Sequence, residues 1–242
     1  MSESGHVFYS ATVVRIIDAS DVVKRFVLRM PDTVPFTFMA GQFVMLDLPI
    51  SIGETYRSYS IASPPSGNNE FELCISLKED GLATPWLWEN VQVGSTLRCT
   101  AALGKFVLPE TIDTDICFIC TGTGIAPLRS MILDIYNRNL PHRNVYLVFG
   151  NRYAKDILYR DEFEALSQQH PDFHFLPALS READAAWTGT KGYVHPLYES
   201  LFADHRPAQF YLCGWKAMVR EAKEKLKAMG YSRKQIQFEL YD

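Results

Sequence analysis

The stretch RSYS at residues 57–60 sets a cation, an aromatic ring and two hydroxyls close together in an otherwise strand-like run. Arg57 can pair bidentately with a phosphate group. Tyr59 projects to the same side of a strand and can offer a flat face to an aromatic ring system, while Ser60 can hydrogen-bond a ring nitrogen. These residue types predict a site for a phosphate-bearing aromatic cofactor. The alternative is an exposed strand with a solvent-facing arginine and a tyrosine packed across the sheet.

The stretch TGTGIAP at residues 121–127 follows an apolar run and precedes a helical pattern. Gly122 and Gly124 let backbone N–H groups approach a phosphate, and the N-terminus of a helix favours that anion. Pro127 suits the first helical turn, because its missing N–H costs little there. A proline stands where the dinucleotide fingerprint G-x-G-x-x-G has its third glycine. We predict a phosphate-binding loop here, with a purely structural turn as the alternative.

The elements that must position these residues differ between the two halves of the chain. Up to about residue 110, six strand-like runs at regular spacing predict an antiparallel β-barrel. One helical pattern interrupts them at residues 83–91. The predicted strands are residues 8–17, 22–30, 41–49, 56–63, 70–78 and 95–103.

Beyond about residue 113, strands alternate with helices. The apolar run DICFIC at residues 115–120 is typical of a strand that is covered on both faces. The alternation predicts an α/β domain with a doubly wound parallel sheet, so we expect domains at residues 1–110 and 111–242. The other predicted strands are residues 144–150, 172–180, 209–214 and 235–242, and predicted helices follow the glycine turn and occupy residues 160–169, 195–202 and 215–230.

Composition and charge exclude several classes of protein. The chain has 24 basic and 28 acidic residues, a net charge of -4, which is too mild to argue for nucleic-acid binding. No stretch approaches the roughly 20 apolar residues that span a membrane. The start MSESGHVFYS has neither a basic segment nor an apolar run, so we expect a cytoplasmic protein.

The cysteines and histidines predict no metal site. The cysteine count is five, an odd number that favours reduced thiols. Cys117 and Cys120 fit C-x-x-C, but they lie in a strand-like run and lack a second Cys/His pair for a tetrahedral site. His142 and His170 each stand beside a proline and are predicted to lie at the surface. His195 is predicted to begin a helix directly after a strand over GYV.

The motifs together resemble the ferredoxin-NADP reductase family. The likeness extends from about residue 11 to residue 241 and is closest to the reductase modules of bacterial oxygenases, flavin reductases and cytochrome b5 reductases. It implies FAD and NADP or NAD as cofactors. The stretches that carry it, in the family's order, are RSYSIAS, GLAT (81–84), LGKFVL (103–108), TGTGIAP and YLCGWKAM (211–218).

The resemblance implies two FAD-binding elements. The first binds the flavin phosphate with its arginine, packs its tyrosine on the flavin and sets its serine beside the reactive nitrogen. The second caps a helix N-terminus against the pyrophosphate. Further along, Trp86 or Trp88 can supply a flat surface for the adenine, unless both belong to the core. The matching residues are Arg57, Ser58, Tyr59 and Ser60 in the first element, and Gly81, Ala83 and Thr84 in the second.

The second half resembles the family's nicotinamide-nucleotide domain. Its cysteine, which ends a late strand, lies near the nicotinamide in the family, although a buried strand thiol would be the plain alternative. Many members continue with C-G-P-P-x-M, whereas this chain has CGWKAM, so bulkier residues replace small ones there. The matching residues are Gly122, Thr123 and Gly124 in the pyrophosphate loop, and Cys213 and Gly214 at the strand end.

Two more pairs of residues match functional positions of the family. Glu239 and Tyr241 fit a terminal Glu-x-Tyr, in which the tyrosine stacks on the flavin and the glutamate serves a proton path; Asp242 follows here, and an edge strand is the alternative. Arg152 and Arg181 match arginines that clamp the 2′-phosphate of NADPH, which favours NADPH over NADH.

The resemblance implies a flavin-dependent reductase. Hydride would pass from NAD(P)H, lying across the cleft between the domains, to FAD, and electrons would pass to a separate redox protein such as a ferredoxin or flavodoxin. Alternatives are a reductase of free flavin and a non-catalytic partner-binding subunit with the same fold. The predicted catalytic residues are Ser60, Cys213, Glu239 and Tyr241.

Overall fold

A computed structural model describes residues 5–50 and 55–241 of the chain. It has two compact units, Met1–Leu108 with Arg129–Asp134, and Pro109–Leu128 with Ile135–Asp242. The short segment 129–134 therefore belongs with the first unit, although it lies beyond residue 110 in the chain. The assignment of residues 1–110 and 111–242 to separate domains stays a prediction.

The first unit is an antiparallel β structure with one helix, α1 (Ala83–Asn90). Its strands are β1 (Phe8–Ser20), β2 (Val23–Arg29), β3 (Phe43–Asp47), β4 (Tyr56–Ser60), β5 (Glu70–Ser76) and β6 (Thr96–Thr100). They pair in the order β4-β3-β6-β1-β2-β5. Alternate residues such as Phe26, Leu28 and Phe71 turn inward to a common core. A bridge between Ile61 and Leu73 joins the ends of the order and closes the sheet into a barrel.

The second unit is a parallel sheet flanked by helices. Its strands are β7 (Asp115–Thr121), β8 (Val145–Asn151), β9 (Phe173–Leu179), β10 (Thr190–Lys191), β11 (Ala208–Trp215) and β12 (Ile236–Tyr241), in the order β10-β9-β8-β7-β11-β12. Its helices are α2 (Ile125–Asn137), α3 (Arg160–Gln169), α4 (His195–Leu201) and α5 (Lys216–Ala228). The strands β7 and β8 are buried along almost their whole length, because helices cover both faces of the sheet. Among the described residues, no helix is long and apolar enough to cross a membrane.

The predicted elements are confirmed except at two places. Strand β1 continues to Ser20 through the predicted break, and the chain turns only at Asp21–Val22. The stretch GYV before His195 is not a strand. The edge strand there is Thr190–Lys191, because only these two residues pair with β9 before Gly192 turns the chain with a positive φ of 116°.

Candidate functional site

Strand β4 carries the RSYS residues at one end of the strand order, paired with β3. Ser60 is buried, Ser58 is exposed, and Arg57 and Tyr59 are half-buried. The Arg57 guanidinium donates from Nη1 to the carbonyl of Tyr56 at 2.7 Å. The strand therefore presents a cation and a ring beside a buried hydroxyl.

Tyr59 remains a neutral phenol across the physiological range. Burial raises the pKa of Tyr59 from 10.0 to about 12, and the charge of Arg57 lowers it less than burial raises it. The ring also packs against the barrel core. This packing holds the ring in place, which suits a residue that must present a flat face to an aromatic cofactor.

The hydroxyl of Thr84 closes the loop that leads into α1. It accepts a hydrogen bond from the backbone N–H of Lys78 at 2.8 Å and donates to the Lys78 carbonyl at 3.3 Å. Helix α1 begins at Ala83, and no side chain caps its N-terminus. No capping side chain therefore occupies the backbone N–H groups of its first turn. An anion that binds at a helix N-terminus needs these N–H groups.

The two tryptophans of α1 have different surroundings. Trp88 packs edge-on against Phe26 at a centroid distance of 5.8 Å, with the Lys24 ammonium over its ring. Trp86 lines a surface groove of about 280 Å³ together with Gly81 and other residues. Of the two tryptophans, Trp86 is therefore the one that a flat ligand in this groove would contact. The other residues of the groove are Pro49, Ile50, Leu82, Pro85 and Glu89.

The glycines of the TGTG loop have two different environments. Gly122 has a left-handed φ of 53°, and a Cβ built on it would have no heavy atom within 4 Å. A Cβ on Gly124 would lie 2.5 Å from the carbonyl oxygen of Cys213. Gly124 thus allows the loop to lie against the end of β11, while Gly122 leaves open space above the loop. The Thr121 hydroxyl fixes this approach by accepting a hydrogen bond from the N–H of Trp215 at 3.0 Å.

Arg152 and Arg181 follow β8 and β9 and lie side by side. The backbone N–H of Arg181 donates to the carbonyl of Arg152 at 3.0 Å, and both residues are exposed. The carboxylate of the next residue, Glu182, accepts a hydrogen bond from the N–H of Ala154 at 2.8 Å. Sequence spacing alone placed these arginines 29 residues apart, and the parallel sheet brings them together.

Cys213, Glu239 and Tyr241 form a cluster on β11 and β12. Cys213 pairs with Glu239 in register. Burial raises the pKa of Cys213 well above its ordinary value of 9.0; the Glu239 carboxylate raises it further, and the nearby Tyr241 hydroxyl lowers it. The thiol is therefore neutral at physiological pH. Asp242 lies outside the described residues.

The prediction that His142 lies at the surface is wrong. Its side chain is only 13% exposed, and its Nε2 lies 2.6 Å from Asp172 Oδ2. Burial disfavours the Asp172 carboxylate, but hydrogen bonds from His142 and Tyr136 outweigh burial and lower the pKa of Asp172. The pairing spans 30 residues of sequence, which is why the local pattern beside the proline did not show it.

Sequence reasoning missed a buried ion pair in the first unit. Arg129 Nη1 lies 3.6 Å from Glu72 Oε1, and both side chains are almost fully buried. An arginine within the apolar run PLRSMIL was the signal available, because a lone cation on a buried helical turn requires a partner. Within the described residues, no cluster of three or more His, Cys, Asp or Glu side chains could hold a metal ion.

Comparison with known proteins identifies both halves. Residues 10–108 match the family model of the oxidoreductase FAD-binding domain, and residues 118–224 match that of the oxidoreductase NAD-binding domain. The chain is 34% identical over 241 residues to ferredoxin--NADP reductase B of Sorangium cellulosum, covering 97% of this chain and 98% of that protein. It is also 34% identical over 216 residues to the phenol 2-monooxygenase reductase component DmpP of a Pseudomonas species, covering 88% of this chain. The chain spans 60% of the length of that second relative.

Solved structures share the fold. The Amycolatopsis cytochrome P450 reductase GcoB superposes with a TM-score of 0.87 at 30% identity, over 97% of this chain and 70% of that one. A ferredoxin NADP+ reductase from Neisseria gonorrhoeae with bound FAD and NADP superposes with a TM-score of 0.81 at 26% identity, over 96% and 98% of the two chains.

These findings confirm the predicted two-domain fold class and the predicted cofactors, FAD and NADP or NAD. They also confirm the predicted class of enzyme, since both matched domains are oxidoreductase domains and the Sorangium relative is covered over nearly its full length. The chain belongs to the ferredoxin-NADP reductase family, flavoenzymes that pass electrons from NAD(P)H through FAD.

Proposed function

We propose that this chain passes electrons from NADPH, through a non-covalently bound FAD, to a separate redox protein such as a ferredoxin or flavodoxin. The observation that carries the proposal is the strand β4, on which Arg57, Tyr59 and Ser60 combine a cation, a neutral ring and a buried hydroxyl. The full-length likeness to a ferredoxin--NADP reductase supports the choice of acceptor. A cytoplasmic location belongs to the proposal, and five free, buried cysteines support it.

The residues of the first unit fit FAD. Arg57 would hold a phosphate, Tyr59 would pack on the flavin, and Ser60 would donate to the reactive ring nitrogen. The first turn of α1 would face the pyrophosphate with its backbone N–H groups, and the groove beside Trp86 would take the adenine. Neither Cys nor His occurs in RSYSIAS to form a covalent link.

The residues of the second unit fit a dinucleotide. Gly122 leaves open space where a phosphate can approach the backbone, and Thr123 and Gly124 lead into the N-terminus of α2. Arg152 and Arg181 would clamp a 2′-phosphate, which favours NADPH, because NADH cannot replace those charge-assisted hydrogen bonds.

FAD supplies the hydride-accepting and one-electron chemistry, and the protein supplies position and electrostatics. Cys213 would present a neutral thiol to the nicotinamide, since its pKa is raised. Glu239, next to that thiol on β12, would hold or release the proton that accompanies electron transfer. Tyr241, two residues further along β12, would stack on the flavin where the nicotinamide must lie.

The decisive experiment is anaerobic reduction of the purified protein by NADPH or NADH, followed by a panel of acceptors. We expect a yellow protein that releases FAD, bleaches with NADPH and then reduces a ferredoxin or a flavodoxin. Release of FMN alone, as identified by mass spectrometry, would contradict the assignment of FAD. Rapid reduction of free flavin, with neither redox protein reduced, would favour a flavin reductase. A colourless protein without NADPH-dependent dye reduction would favour a non-catalytic subunit.

A further inference from the structure

The two residues that follow Ser60 and Ile61 lie at the seam where the barrel closes. The backbone N–H of Ala62 donates to the carbonyl of Glu72 on β5 at 2.7 Å. The Ser63 hydroxyl accepts a hydrogen bond from the N–H of Glu72 at 3.0 Å. On the β5 side, the backbone of one residue, Glu72, therefore holds both Ala62 and Ser63.

Helix α2 holds the other side of this segment. Arg129 Nη1 donates to the carbonyl of Ala62 at 2.8 Å, and Ser130 Oγ donates to the carbonyl of Ser63 at 2.7 Å. All four residues belong to the same compact unit. The N–H and carbonyl of Ala62 are thus both satisfied, one by β5 and the other by a buried guanidinium.

Glu72 ties the two sides together electrostatically. Its carboxylate accepts two hydrogen bonds from Arg25, at 3.0 and 2.8 Å, and lies 3.6 Å from Arg129. The side chains of Glu72 and Arg129 are 7% and 9% exposed. Buried ion pairs are weak stabilisers, since the cost of desolvation offsets the attraction, and apolar residues often serve the fold as well. An apolar side chain at position 129 could not donate to the Ala62 carbonyl, which points to a geometric role for the arginine.

We propose that Arg129, assisted by Ser130, is a positioning residue for the flavin site, because it fixes the backbone at Ala62, two residues after Ser60. This inference rests on the proposed FAD site on β4. Between Ser60 and Ala62, the N–H of Ile61 donates to the carbonyl of Gln42 at 2.9 Å, and Ser60 itself pairs with Phe43. The β3 end therefore fixes the backbone at Ser60 and Ile61, and Arg129 fixes the next residue, Ala62.

The proposed role matters because hydride transfer is sensitive to small displacements. A shift of about 1 Å at a reacting group can cost about a hundred-fold in rate. If Arg129 is removed, the buried carbonyl of Ala62 loses its donor, and the segment must move to regain one. Such a movement starts two residues from Ser60, so it reaches the hydroxyl through Ile61 alone.

The test compares Arg129→Met with Arg25→Met, which removes the other arginine from the same carboxylate. Ser130→Ala is the mild second variant, and Arg129→Lys is the conservative one. The measurements are the Kd for FAD, the rate of flavin reduction at saturating NADPH, the flavin absorption spectrum and the unfolding midpoint. We expect about a ten-fold slower reduction and an altered flavin spectrum in Arg129→Met. Arg25→Met should lower the unfolding midpoint while its reduction rate and spectrum stay at parental values.

The expected order of reduction rates is parent, Ser130→Ala, Arg129→Lys and then Arg129→Met. Equal effects of Arg129→Met and Arg25→Met on rate and spectrum would overturn the inference, as the arginine would then serve stability alone. If Arg129→Met does not fold, parental rates and spectra in both Ser130→Ala and Arg129→Lys would overturn it as well. Arg57→Ala separates the two proposals. Unchanged FAD affinity in Arg57→Ala would refute the flavin site itself. Weaker FAD binding in Arg57→Ala, together with a parental reduction rate and spectrum in Arg129→Met, would refute only the role of Arg129.

Discussion

Cys213 and Glu239 lie opposite each other on the neighbouring parallel strands β11 and β12, and Tyr241 lies two residues further along β12. Burial and the nearby carboxylate both raise the pKa of the thiol. The cysteine therefore cannot exchange protons near neutral pH. Under the proposed function, Glu239 is therefore the member of this cluster that would handle the proton.

Replacing Tyr241 with alanine should strengthen nucleotide binding. In the family likeness, this ring occupies the position that the nicotinamide must take, so its removal leaves room for the nicotinamide to stack. We expect about ten-fold tighter binding of NADP⁺, a new charge-transfer band on titration and slower release of oxidised nucleotide. The neighbouring exposed residue gives the control, Leu240→Ala, which should behave as the parent. An unchanged spectrum, affinity and turnover in Tyr241→Ala would show that the ring does not cover the flavin.

Glu239→Gln should retain FAD and slow turnover by about a hundred-fold, because an amide cannot hold or release the proton. The variant keeps the size and shape of the side chain, so its unfolding midpoint should stay near that of the parent. Steady-state rates with ferricyanide and with a ferredoxin measure the effect. Parental rates with both acceptors would remove Glu239 from the proton path.

The two loop glycines should respond differently to alanine. Gly122→Ala meets open space but requires a left-handed φ, so we expect about 1–2 kcal/mol of strain and a fold that persists. Its methyl group would stand in the space left for a phosphate and weaken NADPH binding. Gly124→Ala places a methyl 2.5 Å from the Cys213 carbonyl, so we expect a lower unfolding midpoint than in Gly122→Ala. Calorimetry and nucleotide titration of the pair give both readouts. The reverse order of midpoints would contradict the steric assignment.

Arg181→Ala should reduce the preference for NADPH. Losing one charge-assisted hydrogen bond to the 2′-phosphate costs about 1.5–3 kcal/mol, which is at least about ten-fold in kcat/KM for NADPH. The value for NADH should stay near that of the parent. Arg143→Ala is a matched control, because Arg143 is also exposed but precedes β8 at the opposite end of the strand. Equal constants for the two nucleotides in the parent protein would refute the preference itself.

The protein should lose stability above about pH 9. Burial raises the pKa of the Cys99 thiol from 9.0 to about 12, and burial also raises that of Cys213. Unfolded thiols ionise near pH 9 while the folded ones stay protonated, so this stabilisation is complete below pH 9 and falls as the pH rises further. Each such thiol contributes a slope of up to about 1.4 kcal/mol per pH unit. Urea denaturation between pH 8 and pH 10 measures the slope. Cys99→Ala should have the shallower slope, and an identical slope would contradict the assignment.

Local patterns in the sequence predicted the elements well, because burial on one face imposes a period on the chain. Strand β2 alternates Phe26 and Leu28 with Arg25 and Arg29, and its register with β5 keeps that alternation. The unbroken apolar run of β7 likewise predicted a strand covered on both faces. These signals need only neighbouring residues, so a single sequence contains them.

Pairings over long distances in the chain left no such signal. Arg129 and Glu72 are 57 residues apart, and neither has a neighbour that indicates its partner. The steric role of Gly124 depends on the Cys213 carbonyl, which lies on a distant strand. The sequence predicted that this glycine serves a phosphate, whereas the contact that requires its lack of a side chain is visible only in the folded chain.

The grouping of Arg129–Asp134 with the barrel limits how this protein can be dissected. A fragment that ends at residue 110 would contain all six antiparallel strands and the whole RSYS segment, yet the Ala62 carbonyl would have lost its Arg129 donor. Replacing the first 110 residues with those of a relative would likewise place a different segment opposite Arg129 and Ser130. Chimeras of such reductases should therefore take residues 129–134 from the same parent as the barrel, so that the Ala62 carbonyl keeps its donor.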